Sequence, residues 1–235
     1  PSFDRLYPGG SLAGTVLGSV DVDGNGNSGL ELMFQDEFTG TPGEESYEIG
    51  PTGAVIPGAK VVSKEAQPGD TVNTTLVADL QYAVQSALDS AVDAHGAEWG
   101  SAVVMDVASA EILALADSDT TTPEDGPQAS KAVQMVYEPG SVGKIFTFAG
   151  ALESGVITPE TSFTMADTYT TSNGQTFSDM VPHEPFTKTA TGVIAQSLNT
   201  GTVMIGEQIP PEERYDLMRR FGLGEKTGVL LAGES

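Results

Sequence analysis

A serine and a lysine stand three positions apart in the run Tyr137-Glu138-Pro139-Gly140-Ser141-Val142-Gly143-Lys144, the first place in this chain where residue types and spacing could do chemistry. Residues three apart share a helix face, so a helix beginning here lets Lys144 reach the Ser141 hydroxyl. A hydroxyl at a helix N-terminus with an amine beside it is the layout of an activated nucleophile. An unperturbed lysine is protonated near neutral pH. Partial burial and the positive end of a helix both favour its neutral form. The plainer alternative is a Ser141 that only caps the helix while Lys144 points into solvent. A second candidate pair lies in Gln196-Ser197-Leu198-Asn199-Thr200. A hydroxyl and a carboxamide two residues apart in a tight turn can face one cleft, Ser197 to relay a proton and Asn199 to hold a substrate amide. Alone, this triplet is equally an interhelix turn with capping Ser and Asn.

Particular elements must hold these residues in place. Pro139-Gly140 sets a turn ahead of Ser141, and Val142, Ile145, Phe146, Ala149 and Leu152 predict the buried face of a helix that Gly155 stops in the left-handed conformation. The Ser197 triplet sits between the apolar runs Val193-Ile194-Ala195 and Val203-Met204-Ile205. Pro211, Glu212 and Glu213 open a further helix, and Arg219, Arg220 and Gly222 close it. Upstream, Val77, Leu80, Ala83, Val84, Ala87, Leu88 and Ala91 predict an amphipathic helix. Residues 102–105 and 112–115 read as strands around a turn at Ala108-Ser109, and 72–76 as another strand. Residues 117–136 read as polar loop. Residues 1 to about 70 are Gly-rich with short apolar runs, among them the alternating Leu30, Leu32 and Phe34, and read as short strands and loops. Composition shifts after Pro68-Gly69-Asp70. The predicted fold class is mixed α/β (α+β), an antiparallel sheet with helices preceded by a small β-rich module.

Composition narrows the function. A hydrophobic content of 39% and a mean hydropathy of −0.09 in 235 residues are enough for a sizeable core. The formal charge of −23 leaves no basic footprint for a nucleic-acid backbone and disfavours anionic membrane surfaces. The absence of cysteine removes disulfides, thiolate nucleophiles and cysteine-based zinc sites. No apolar stretch is long enough to cross a bilayer. The chain opens at Pro1 and is read as a piece of a longer protein. Asp21-x-Asp23-x-Asn25-Gly26 opens like a calcium-binding EF-hand loop, but Leu32 stands where that loop needs a bidentate glutamate, so turn chemistry is expected there. His95 and His183 lack ligand spacing and read as surface or structural residues, so no metal is expected. Trp99 reads as a packing residue at the start of a core strand.

Together the two motifs resemble penicillin-binding proteins and serine β-lactamases, whose set is Ser-x-x-Lys, Ser-x-Asn, then Lys-Thr/Ser-Gly. The flanks Tyr137-Glu138-Pro139-Gly140 and Leu152-Glu153-Ser154-Gly155 resemble the class B penicillin-binding proteins, the monofunctional cell-wall transpeptidases. Arg5-Leu6-Tyr7-Pro8 and the stretch from Leu17-Gly18 through Gly29-Leu30-Glu31 resemble the end of that family's dimerisation or pedestal region. Thr75-Leu76-Val77-Ala78-Asp79-Leu80-Gln81, Val104-Met105-Asp106 and Glu111-Ile112-Leu113-Ala114 resemble the opening of its transpeptidase domain. The resemblance thus assigns 1–70 to the pedestal module and 71–235 to the N-terminal part of the transpeptidase domain. There are departures. Val142-Gly143 replaces the usual small or hydroxyl residue followed by a bulkier apolar one, and Ser130 stands where Asn is common. Lys226-Thr227-Gly228 spells the third motif but follows Ser197 too closely, and the segment around it resembles a loop that precedes the true one. The third catalytic motif is therefore expected to lie outside this chain.

What the resemblance implies is an acyl-serine D,D-transpeptidase that crosslinks peptidoglycan stem peptides ending in D-Ala-D-Ala. Ser141 would attack the penultimate D-alanine carbonyl, Lys144 accept its proton, Ser197 pass a proton to the leaving amine, and Asn199 orient Lys144 and the substrate amide. The oxyanion donors would be the Ser141 N–H and one from the absent strand. β-Lactams would acylate the same serine, without any cofactor. The parent would be anchored in the bacterial membrane outside this segment, with the domain on the extracytoplasmic face and division or elongation proteins as partners. Two rivals stand beside it: a non-catalytic scaffold of the division or elongation machinery, and a serine β-lactamase, which the upstream 70-residue module argues against.

Overall fold

Leu30, Met33 and Phe34 line one apolar groove together, a spacing of three and four that belongs to a helix rather than a strand. The computed structural model, which describes residues 6–52, 54–56, 58, 60–120, 129–229 and 231–234, accordingly begins with short helices α1 (Gly14–Leu17), α2 (Gly29–Met33) and α3 (Gln35–Thr39). The short strand predicted over Leu30, Leu32 and Phe34 is thus corrected to helical turns; the period-two reading caught Leu32, which is exposed. A Cβ on Gly18 would lie 1.9 Å from the Ser28 carbonyl oxygen, and one on Gly29 2.4 Å from that of Val16, so α1 and α2 cross where only glycine fits. Between them Asp21 turns its carboxylate onto the N–H groups of Asp23 and Asn25, the turn chemistry expected there. Among the described residues the module's β structure is the antiparallel pair β1 (Glu44–Ser46) and β2 (Val61–Lys64) with three isolated bridges, Val20–Gly26, Thr41–Gln67 and Ile49–Val55.

Contacts divide the chain into two units, Pro1–Met135 with Gly228–Ser235, and Val136–Thr227. The first is completed by α4 (Ala78–His95), the antiparallel hairpin β3 (Trp99–Met105) and β4 (Ile112–Asp119), and α5 (Lys131–Gln134). Helix α4 ends at Gly96 in the left-handed conformation. It packs on β4 through a buried polar side chain: Gln81 donates Nε2 to the Leu115 carbonyl at 2.7 Å and accepts the Leu115 N–H at 2.9 Å, imitating a strand partner. Residues 72–76, predicted as a strand, instead run beside β4 without a ladder; Val77 N–H reaches the Leu113 carbonyl and Thr75 Oγ1 that of Ile112. The polar loop predicted for 117–136 begins only after β4 and contains α5; its central part, 121–128, lies outside the described residues.

In the second unit a 3₁₀ turn (Gly140–Gly143) runs into α6 (Lys144–Glu153). Strands β5 (Ser162–Met165) and β8 (Phe186–Thr189) pair antiparallel, and between them in sequence β6 (Thr168–Thr170) and β7 (Thr176–Ser178) form a hairpin. Helices α7 (Ala190–Ala195), α8 (Asn199–Gly206) and α9 (Pro211–Arg220) follow, α9 with the Pro, acidic and basic termini read from sequence. The core gathers Phe148 and Ala151 of α6, Phe163 and Met165 of β5, Val193 of α7 and Ile205 of α8. The buried face of α6 is therefore not the one predicted. Val142 and Ile145 are 66% and 56% exposed, because the 3₁₀ turn advances the chain by three residues per turn before α6 begins and turns Phe148 and Ala151 inward. Gly155, at φ 72°, ends the helical stretch as expected. Ile205 is fully buried in this core, so Ile205→Ala is expected to cost about 2–5 kcal/mol, read as a lower midpoint of urea unfolding.

Candidate active site

Ser141 lies in the 3₁₀ turn and Lys144 is the first residue of α6, so the pair sits at the N-terminal, positive end of that helix. Ser197 lies in the three-residue junction, 196–198, between α7 and α8. The structure brings all three together: Ser197 Oγ is 2.9 Å from Ser141 Oγ, and Lys144 Nζ donates to Ser197 Oγ at 3.0 Å and to the Ser197 carbonyl. The hydrogen-bonded connection from Lys144 to Ser141 thus runs through Ser197. Hydroxyl hydrogens rotate, so the same heavy-atom chain can carry the Ser141 proton toward Lys144.

The Ser197 turn follows from how α7 ends. Ser197 N–H bonds to the Ile194 carbonyl and Leu198 N–H to that of Val193, both at 3.0 Å, with Leu198 packed on the core that holds Val193. This is a Schellman closure, whose left-handed residue is usually glycine. Here it is Ser197, at φ 53°. Left-handed backbone without glycine costs on the order of 1 kcal/mol or more, a strain the fold bears at the residue that links Ser141 and Lys144.

Asn199 opens α8, and its Nδ2 donates to the Ser178 carbonyl at 2.8 Å, tying the helix to the end of β7. Beside it Asp179 accepts the N–H groups of Asn199 and Thr200 on Oδ1, and Thr200 Oγ1 on Oδ2 at 2.8 Å. His183 Nε2 lies 3.0 Å from Asp179 Oδ2. Burial holds the Lys144 ammonium below the ordinary lysine range, against the charge of Asp179, which acts the other way. Burial raises the Asp179 carboxyl, but hydrogen bonds from His183, Thr200 and Asn199 outweigh it and leave the group below its ordinary value.

Asp179 carries no signal in the sequence, and His183 reads there only as a surface or structural residue; the one local sign is their spacing of four in a Pro-punctuated segment. Lys226, in the Lys-Thr-Gly run that the sequence reading sets aside, is exposed in the irregular segment after α9, and 226–228 form no strand. Trp99 opens β3 as expected.

With this geometry in place, the comparisons are specific. Residues 100–235, more than half of the chain, match the penicillin binding protein transpeptidase domain. The chain belongs to that family, as the motifs around Ser141 and Ser197 imply. Penicillin-binding protein PbpB of Mycolicibacterium smegmatis is 40% identical over 98% of this chain and 37% of its own length. The peptidoglycan D,D-transpeptidase FtsI of Escherichia coli is 32% identical over 98% of this chain and 39% of its own. The crystal structure of penicillin binding protein 3 of Mycobacterium tuberculosis complexed with aztreonam superposes with a TM-score of 0.83 at 36% identity, covering 98% of this chain and 49% of that one. The chain spans little more than a third of the length of these two curated relatives.

Proposed function

We propose that these residues are the nucleophile half of a serine D,D-transpeptidase that crosslinks peptidoglycan stem peptides. The observation that carries this is the hydrogen-bonded chain Lys144–Ser197–Ser141. In the first half-reaction Ser141 Oγ attacks the carbonyl of the penultimate D-alanine, and its proton moves through Ser197 toward a neutral Lys144. The C–N bond breaks, the amine of the terminal D-alanine takes a proton back along the same path, and an acyl-serine ester remains for the acceptor amine of a second stem peptide. The Ser141 N–H serves as one oxyanion donor. The second donor and the Lys-Thr/Ser-Gly strand are supplied by chain outside these residues. Asn199, whose Nδ2 donates to the Ser178 carbonyl, offers its own carbonyl oxygen to a substrate amide. β-Lactams enter as acyl donors to the same serine. In this reading, residues 1–70 belong to the pedestal module and 71–235 to the transpeptidase domain. The parent works at the extracytoplasmic face of the membrane, with the division or elongation machinery as its partners.

The test is the intact mass of the full-length protein after incubation with a penicillin, beside a Ser141→Ala control. One stable adduct, absent in the control, is expected. No adduct on the wild type would sink the reading and put the scaffold in its place, while rapid turnover without a lasting adduct would indicate a hydrolase.

A further inference from the structure

Asp179 and His183 lie on the segment that joins β7 to β8, and the polar atoms of both side chains are all engaged. The Asp179 side chain is only 3% exposed, with His183 Nε2 on its Oδ2 at 3.0 Å. The other ring nitrogen, Nδ1, lies 3.0 Å from the Glu184 carbonyl. A carboxylate and a carbonyl can only accept, so both ring nitrogens must donate, and only the imidazolium has two donors. His183 is thus a cation held between two acceptors, its ring 4.2 Å from that of Phe186. Its partner Asp179 caps α8 from another segment, where the helix's own N-cap residue, Leu198, has no side-chain acceptor.

We propose, on the reading of the site given above, that the Asp179–His183 ion pair positions the residues of the acylation step. It clamps the first turn of α8 against the end of β7 and thereby sets the reach of Ser197 to Ser141 and Lys144. The need for such a clamp is local. Ser197 sits in a left-handed conformation that serine does not favour, and the turn relaxes unless both sides hold it. The Schellman closure holds the α7 side; Asp179, with the Asn199–Ser178 bond, holds the α8 side.

The charges facing the pair are Lys144 from α6, which feels the Asp179 carboxylate, and Asp167, which supports the His183 cation. His183 is held above the ordinary histidine range, first by its hydrogen bond to Asp179 and then by that to Glu184. A group with a raised value contributes below its unfolded value and loses that contribution as pH rises through the folded one. Asp179, with a lowered value, contributes above its unfolded value and loses it as pH falls through the folded one. The clamp is therefore closed between the acid range of Asp179 and the raised titration of His183.

The experiment compares wild-type full-length protein with Asp179→Asn and Asp179→Ala, using His183→Gln to assign the imidazole signal. Without substrate, NMR is expected to show His183 titrating above the ordinary histidine range, and lower in Asp179→Asn, where the carboxylate is gone and the shape kept. Exchange of the Asn199 and Thr200 amides should accelerate in Asp179→Ala. With a fluorescent penicillin, Asp179→Ala should acylate about 10²-fold more slowly, the scale of a slightly misplaced reacting group. Asp179→Asn should retain more of the rate and shift its pH profile down, since the charge that keeps Lys144 protonated is removed. An unshifted His183 titration in Asp179→Asn, or amide exchange and acylation in Asp179→Ala equal to wild type, would overturn the inference. A wild-type protein that takes no acyl group would sink the proposed function alone, and the substrate-free titration and exchange would still decide whether the clamp exists.

Discussion

Replacing Lys144 with alanine is expected to slow acylation of Ser141 by about 10³-fold, within the range for loss of a positioned general base. In the proposed reaction the Ser141 proton must leave as its oxygen attacks, and the hydrogen-bonded path from Ser141 leads through Ser197 to Lys144. Burial favours the neutral amine and the Asp179 carboxylate opposes it, with burial the larger influence. The wild-type acylation rate should therefore climb with pH toward a plateau whose midpoint lies below the ordinary lysine value. Both the alanine and the Lys144→Arg variants should lose that climb, because arginine cannot be deprotonated in a protein. Stopped-flow acylation by a fluorescent penicillin across pH measures all three proteins. An arginine variant with wild-type rate and pH profile would remove Lys144 from the role of base.

Ser197→Gly is expected to move stability and activity in opposite directions. Glycine takes the left-handed conformation at φ 53° freely, so the Schellman closure after α7 should gain on the order of 1 kcal/mol. The same change deletes the hydroxyl between Ser141 and Lys144, and acylation should fall about 10²-fold. Ser197→Ala separates the two effects, losing the same activity with no gain in stability. Urea unfolding and acylation kinetics on the three proteins give the answer. If the glycine variant were less stable than wild type, the strain argument would fail. If both variants acylated normally, Ser197 would have no part in the relay.

What could be read in advance depended on whether a residue's role was local. The helix after Ser141, its stop at Gly155, the hairpin around Ala108-Ser109 and the charge-capped α9 all follow from signals within a few positions. Ser141, Lys144, Ser197 and Asn199 were legible as two motifs, and the structure brings the two serines and the lysine into one hydrogen-bonded chain. The buried face of α6 was misread because a 3₁₀ turn changes the period just before it, and residues 29–39 because three alternating apolar residues mimic a strand. Asp179 could not be found by period or propensity. It caps a helix that begins twenty positions later, and nothing in 179–185 advertises which amides its carboxylate will meet. The conformation of Ser197 is hidden for a related reason: the left-handed position of such a turn is normally signalled by glycine, and here a serine occupies it.

The β6–β7 hairpin holds α8 at both ends. At one end Ser178 and Asp179 take the Asn199 side chain and the first amides; at the other, Glu207 receives the Tyr169 hydroxyl at 2.6 Å and the Ser172 N–H and hydroxyl at 3.0 and 3.1 Å. A helix of eight residues is about 12 Å long, so this small hairpin spans it as a splint. Held this way, α8 can neither slide along its axis nor roll without breaking bonds at two distant points at once. The alignment of the Ser141 and Ser197 hydroxyls is thereby tied to an exposed ribbon as well as to the core, and a substitution at its tip has a stiff lever reaching to Ser197.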